Sequence, residues 1–145
     1  MTRELGAELL CPSARPEWRG SVAIGVVSGT AEQPAVRLFA EPQEVTPELL
    51  KLSEPVTPTE VFRFGAPCLG RGCLHYEAGT CRLAERVTAM LPAVDPTLSP
   101  CSIRNTCRWW HQEREQACRR CPQVVSSNYN PSPTMVRVSL PVLRA

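Results

Sequence analysis

Seven of the chain's eight cysteines lie between residues 68 and 121, and this cluster is where the sequence is best equipped for chemistry. The seven are Cys68, Cys73, Cys81, Cys101, Cys107, Cys118 and Cys121. Thiolates are ligands for soft metal centres, and cysteines in a reducing compartment bind metal more often than they form disulfides. The cluster therefore predicts a metalloprotein, with disulfides or unligated thiols as the alternative.

The spacing of the cysteines favours an iron–sulfur centre over zinc. Small zinc modules commonly carry two paired knuckles, whereas here only Cys118 and Cys121 are separated by two residues. Cys118-x2-Cys121-Pro122 resembles part of a ferredoxin ligand run, and the likeness is confined to this segment. We therefore expect one or two clusters, of the [4Fe–4S] type, and a structural zinc site is the alternative.

The number of candidate ligands allows two centres. The seven clustered cysteines and His75 together make eight ligands, enough for two four-coordinate sites. One centre with spare thiols is the alternative. One possible division places Cys68, Cys73, Cys81 and one of the later cysteines at the first centre. Cys118 and Cys121 would form the second centre with partners from the loop or helix start.

Helix geometry constrains which cysteines share a centre. If residues 107–118 formed one straight helix, Cys107 and Cys118 would lie on one face but about 16 Å apart along the axis. Either the helix breaks between them, or they serve different centres, and the ligand count fits the second option. Cys11 stands apart in a proline-rich segment, so we interpret it as a free thiol.

The side chains around the cysteines fit a shielded and anionic site. Trp109 and Trp110 follow Cys107, and we expect one to pack in the core and the other to shield the site. Five arginines lie between residues 101 and 121, where they offset the charge of a thiolate centre. A basic segment with tryptophans is also a feature of nucleic-acid-binding proteins, so that partner class stays a lesser alternative.

The surrounding elements predict an α+β fold in which a small N-terminal β-rich unit packs on an α-helical, cysteine-rich metal-binding unit. We place the first unit at residues 1–65, the second at 66–125 and a proline-rich tail at 126–145. Residues 21–30 and 35–40 are β-branched or apolar and flank a turn, which predicts a hairpin. Thr46-Pro47-Glu48 predicts a short helix to residue 53, and Thr57-Pro58-Thr59-Glu60 has the spacing of a capping box.

Four further elements are predicted downstream. Residues 61–64 suit either a helical turn or a strand. Apolar residues at helical spacing predict a helix over residues 80–91, which Pro92 ends. Residues 102–120 contain no glycine or proline and predict a long helix. Residues 135–140 alternate in polarity and predict an edge strand, with the rest of the tail disordered.

The remaining features suggest an accessory redox protein of the cytoplasm. The net charge is only +2, acidic residues interrupt the N-terminal apolar run, and no stretch approaches the length of a membrane span. With only two histidines and no Ser/His/Asp arrangement, an independent catalytic set is not evident. We expect electron transfer to a partner enzyme or complex, or sensing of oxygen or redox state. A zinc-stabilised module that binds protein or nucleic acid is the alternative.

Overall fold

The computed structural model describes residues 8–30, 34–124 and 132–140, and the protein is α+β. The strands are β1 (Leu10–Ala14), β2 (Val22–Gly29), β3 (Pro34–Glu44), β4 (Phe62–Pro67), β5 (Tyr76–Glu77) and β6 (Thr80–Cys81). The helices are α1 (Pro47–Lys51), α2 (Pro58–Val61), α3 (Arg82–Met90), α4 (Arg108–Glu113), α5 (Glu115–Cys118) and α6 (Pro133–Ser139). Short 3₁₀ turns lie at Gly70–Gly72, Arg104–Thr106 and Cys121–Gln123.

An antiparallel sheet with the strand order β1-β4-β2-β3 forms the base of the fold. The predicted hairpin is confirmed, because β2 and β3 pair from Val22 opposite Glu44 to Gly29 opposite Pro34. A Cβ atom at Gly25 would lie 2.7 Å from the carbonyl oxygen of Arg37. The two strands therefore approach too closely at this position for a larger residue.

The chemistry of the helix caps determines where the connection between β3 and β4 turns. The predicted helix after Thr46 is confirmed as α1, and the Thr46 hydroxyl accepts a hydrogen bond of 3.1 Å from the Leu49 amide. At the start of α2, the Glu60 carboxylate accepts a hydrogen bond of 3.1 Å from the Thr57 amide. These bonds satisfy amides that have no partner within the helix, so both short helices begin where the sequence predicts.

The strand β4 positions a charged residue on the inner face of the sheet. Residues 61–64, for which the sequence left helix and strand open, enter a strand at Phe62, because β4 pairs with both β1 and β2. Phe62 and Phe64 pack into one cluster with α1 and α2. Side chains alternate along a strand, so Arg63 points to the opposite face, where the helical part of the chain lies.

The cysteine-rich region is helical, but the predicted long helix is wrong. The helix expected over residues 80–91 is confirmed as α3. Residues 102–120 instead form a 3₁₀ turn, α4 and α5, and the last two meet at Arg114 with φ 59° and ψ −145°. That backbone conformation is not helical, so the chain changes direction there. The guanidinium of Arg114 lies 5.6 Å from the ring centroid of Trp110.

The predicted edge strand at residues 135–140 is also wrong, because this segment is the helix α6. The Ser132 hydroxyl caps it by accepting a hydrogen bond of 3.1 Å from the Met135 amide. Met135 and Val138 are buried in the helical core, and Arg86 of α3 donates to the Val138 carbonyl at 2.7 Å. Burial at helical spacing therefore outweighs the alternating pattern. The rest of the predicted tail, residues 126–131 and 141–145, lies outside the described residues.

The core has two parts that share the sheet. One contains Phe62 and Phe64, and the other contains Ile24, Trp109 and the apolar faces of α3 and α6. The strand β4 crosses the boundary that the sequence analysis places at residue 66, and the division into units stays a prediction. Within the described ranges, every helix is too short or too polar to cross a membrane.

Candidate metal centres

The eight cysteines divide equally between two cavities. The first cavity, of about 540 Å³, is lined by Cys11, Cys68, Cys73 and Cys81. The second cavity, of about 530 Å³, is lined by Cys101, Cys107, Cys118 and Cys121. All eight are free thiols. Each cavity therefore carries the number of thiols that a four-coordinate thiolate centre requires.

Strand pairing and a short loop bring the first four cysteines together. Cys11 lies on β1 opposite Ala66 of β4, and Cys68 follows β4 directly, with its amide donating to the Leu9 carbonyl at 2.8 Å. Cys73 follows the turn at Gly70–Gly72, and Cys81 ends β6 and begins α3. The sheet thus supplies a fourth thiol to the three that the sequence groups together.

Backbone amides and one arginine surround the sulfur atoms of the first cavity. The amides of Gly70, His75 and Ala84 each donate to a thiol sulfur at 3.4 Å. Their acceptors are Cys68, Cys73 and Cys81 respectively. Arg108 Nε donates to the Cys68 sulfur at 3.1 Å. Such donors stabilise a thiolate, so these positions are suited to metal ligands.

His75 lines the first cavity, but one of its ring nitrogens is engaged. Its Nδ1 lies 2.8 Å from Arg86 Nη2. A guanidinium can only donate, so Nδ1 must accept and is unprotonated. Burial and the charge of Arg86 both lower the pKa of His75. Cys11 provides a fourth thiol at this cavity, so a ligand role for His75 is not needed to complete the set.

The second cavity depends on the break at Arg114. Cys107 immediately precedes α4 and Cys118 ends α5, so an unbroken helix would separate them by about 16 Å along its axis. Both line the second cavity, because the chain leaves the helical conformation at Arg114. The ligand count in the sequence favours separate centres for these two cysteines, whereas the structure places both at one cavity. Cys101 comes from the preceding loop and Cys121 from the 3₁₀ turn after α5.

A buried arginine contacts the second set of cysteines. Arg63 is 1% exposed, and its Nη2 donates to the Cys121 sulfur at 3.1 Å. Its other donors bind the carbonyl oxygens of Pro12, Cys121 and Val124. The salt bridges in the described part of the chain do not involve Arg63, so no carboxylate there offsets its charge. A buried cation of this kind favours an anionic neighbour.

Burial raises the pKa of several thiols in the two cavities. Burial raises the pKa of Cys11 to about 12; the Ser13 amide opposes this rise and the nearby thiols of the first cavity add to it. Burial likewise raises the pKa of Cys107 to about 12, with a further contribution from Cys121. Burial also raises the pKa of Cys118, against a hydrogen bond from Arg104. A bound metal cation would favour the thiolate form of these cysteines.

Trp109 forms a wall between the two cavities. It is 1% exposed and lines both of them. Its indole Nε1 is buried without a hydrogen-bond partner among the described residues. The guanidinium of Arg63 lies 5.8 Å from its ring centroid. Trp110 is half-buried and packs against the same core, so the two tryptophans differ in burial.

The cysteines are not clustered tightly enough for a single ion. Across residues 8–30, 34–124 and 132–140, no group of three His, Cys, Asp or Glu side chains could hold one metal ion. Tetrahedral zinc requires its ligand sulfurs to lie within about 4 Å of one another. The four thiols of each cavity do not form such a site within these ranges.

Two residues at these sites escaped the sequence analysis. The sequence alone indicates an isolated free thiol at Cys11, because its distance in sequence hides the β1–β4 pairing that brings it near Cys68. The sequence signal for a buried charge at Arg63 is weak: it is a charged residue within the otherwise apolar run at residues 61–64. Comparison with protein families, curated proteins and solved structures finds no match to this chain.

Proposed function

We propose that this protein binds two iron–sulfur clusters of the [4Fe–4S] type and uses them in electron transfer with a protein partner. The first centre is the cluster held by Cys11, Cys68, Cys73 and Cys81, and the second centre is the one held by Cys101, Cys107, Cys118 and Cys121. The observation that carries this proposal is the division of all eight cysteines into two sets of four, each lining its own cavity.

The size of the sites supports a cluster over a single zinc ion. A [4Fe–4S] cluster is bound by four cysteines, one on each iron, so its ligand sulfurs stand further apart than those around zinc. Cavities of about 540 and 530 Å³ with four thiols each are suited to such a group. The thiols do not meet the closer spacing of a single-ion site within the described ranges.

The surrounding charges support an anionic occupant. A cluster with four thiolate ligands carries net negative charge, and arginines contact the thiols of both cavities. Arg108 binds the Cys68 sulfur, and Arg63 binds the Cys121 sulfur. Since Arg63 is buried and has no carboxylate partner in the described part of the chain, a negative centre beside it would remove the cost of burying its charge.

The contacts of the basic segment favour a redox role over nucleic-acid binding. Its arginines bind groups within the chain: Arg108 contacts a thiol, Arg114 and Arg104 lie over the Trp110 ring, and Arg119 and Arg120 donate to backbone carbonyls. Arginines that are held in this way have fewer N–H donors free to bind phosphates. A reducing compartment, the cytoplasm, would keep the thiols available for cluster binding.

Anaerobic purification followed by metal and sulfide analysis tests this function. We expect a brown protein with broad absorption near about 400 nm, and about eight iron and eight sulfide per chain. The zinc content of the same sample should be negligible. A colourless protein that contains zinc without sulfide would overturn the proposal in favour of a zinc-stabilised interaction module.

A further inference from the structure

The two cavities are separated by very little protein. Adjacent residues line opposite cavities at two places in the chain: Cys11 faces the first and Pro12 the second, while Cys107 faces the second and Arg108 the first. Trp109 lines both. The wall between the two sets of thiols is therefore one side chain or one backbone segment thick.

A β-bridge joins the ligand segments of the two cavities. Leu10 of β1 pairs in parallel with Cys107. Cys11, which lines the first cavity, is the residue directly after Leu10. Consecutive Cα atoms are about 3.8 Å apart and paired strands about 4.8 Å apart, which places the Cα atoms of Cys11 and Cys107 within about 9 Å. Backbone, rather than solvent, connects these two ligands.

Arg63 provides a second connection between the two sets. Its Nε donates to the Pro12 carbonyl, directly after Cys11, and its Nη2 donates to the Cys121 sulfur at 3.1 Å. The same side chain thus links the backbone of a first-cavity ligand to the sulfur of a second-cavity ligand. Because Arg63 and Trp109 are each 1% exposed, this path excludes water.

The buried indole N–H of Trp109 requires a hydrogen-bond acceptor that the described residues do not supply. Its Nε1 has no partner among the described residues, and a buried N–H group without an acceptor is costly. Trp109 lines both cavities, so a sulfur atom of a bound cluster is an acceptor of the right kind and place. One N–H group can serve only one of the two clusters.

We infer that the two centres form a single coupled pair that exchanges an electron across the wall of Cys11, Cys107 and Trp109, with the Trp109 indole donating a hydrogen bond to one of them. This inference rests on the proposed function. In the exchange, the reduced centre loses one electron and the oxidised centre gains it, with no bond made or broken. The first electron comes from a one-electron donor outside the protein, for which dithionite is the probe.

Electron paramagnetic resonance of the fully reduced holoprotein tests the coupling. Two variants, C68S/C73S and C118S/C121S, each leave one centre intact and give the reference spectra. We expect the spectrum of the unaltered protein to be split or broadened by spin–spin interaction, so that it differs from the sum of the two references. A spectrum that equals this sum would overturn the inference.

A second measurement does not depend on the variants. Dipolar splittings stay constant in field units when the spectrometer frequency changes, whereas features set by g-values move, so recording the unaltered protein at two frequencies identifies coupling. Splittings that do not persist at both frequencies would contradict it. Failure of the proposed function looks different, because such a protein would contain no iron and sulfide and would give no cluster signal at all.

The Trp109→Phe variant tests the hydrogen bond, with Trp110→Phe as the matched control. Phenylalanine keeps an aromatic wall but removes the N–H donor. We expect the midpoint potential of one centre to fall, that of the other to stay, and the spin–spin interaction to persist, while Trp110→Phe changes neither potential. Unchanged potentials in Trp109→Phe, or equal shifts at both centres, would show that the indole does not donate to one cluster.

Discussion

The two cavities have the same number of cysteines but are built from different kinds of structure. The first is formed largely by the loop and turns between residues 68 and 81, and its rim includes Leu69 and Leu74, which are 49% and 72% exposed. The second lies against the sheet and is lined by buried core residues, including Ile24 and Ala117. Both cavities nevertheless have buried and exposed walls, since the first also includes the buried Leu83 and Val138 and the second includes the exposed Val94.

The two cavities differ in the charge of the groups that donate hydrogen bonds to their sulfur atoms. Most donors at the first cavity are neutral backbone amides, and Arg108 is the charged donor to Cys68. At the second, Arg63 reaches Cys121 and Arg104 reaches Cys118. Charged donors favour the more negative, reduced state of a cluster, and they act most strongly where water is excluded. We therefore expect the second centre to have the higher potential.

The largest expected effect is on stability. C118S/C121S should lower the free energy of unfolding by about 3–5 kcal/mol more than C68S/C73S, because it leaves the charge of Arg63 buried without an anionic neighbour. Urea denaturation of the two anaerobic variants measures the difference. Equal losses, or a greater loss in C68S/C73S, would show that the buried charge of Arg63 does not depend on an anionic neighbour at the second cavity.

Replacing Cys11 tests whether the sheet supplies a ligand to the first cavity. We expect Cys11→Ser to lose the first centre and keep the second, so that iron and sulfide fall by about half, as in the matched Cys68→Ser variant. The reason is that Cys11 is the fourth thiol lining that cavity. Full iron and sulfide content in Cys11→Ser would return Cys11 to the role of a free thiol.

A matched pair of arginine variants separates the electrostatics of the two centres. Arg63→Gln should lower the midpoint potential of the second centre and Arg108→Gln that of the first, since each removes a charged donor from a sulfur. If the reduced cluster loses about 1 kcal/mol of stabilisation relative to the oxidised cluster, its midpoint potential falls by about 40 mV for a one-electron step. Redox titration followed by paramagnetic resonance measures both. Shifts at the opposite centre would contradict the assignment of these arginines.

The smallest expected effect concerns the break between α4 and α5. Arg114 has a positive φ, a region that glycine enters without strain. Arg114→Gly and Arg114→Ala both remove the contact with Trp110, but only glycine relaxes the backbone. Arg114→Gly should therefore be more stable than Arg114→Ala by about 1 kcal/mol in thermal or urea unfolding. If alanine is equally stable, the backbone at this position carries no strain.

Local chemistry accounts for the elements that the sequence predicts correctly. The β2–β3 hairpin follows from two apolar segments around a turn, α1 from its Thr46 cap, and α3 from apolar residues at helical spacing. Each of these signals lies within a few residues of the element that it specifies. The α+β class follows from the same signals.

The features that the sequence does not predict depend on contacts between distant segments. The conformation of Arg114 carries no glycine or proline signal, although it decides that Cys107 and Cys118 share a cavity. Ser132 is a local cap signal for the helix α6, but the alternating polarity of residues 135–140 favours a strand. The burial of this segment in the core that contains α3 decides for the helix. Cys11 reaches its cavity only through strand pairing, which cysteine spacing does not encode.

Native mass spectrometry under anaerobic conditions tests the central claim, that the eight cysteines form two separate sets of four. The account predicts a mass increment of two [4Fe–4S] clusters on the unaltered chain and of one cluster on each of C68S/C73S and C118S/C121S. Loss of both clusters from a variant that remains folded, retention of both, or an increment that matches zinc would contradict the division of the cysteines between two cluster sites.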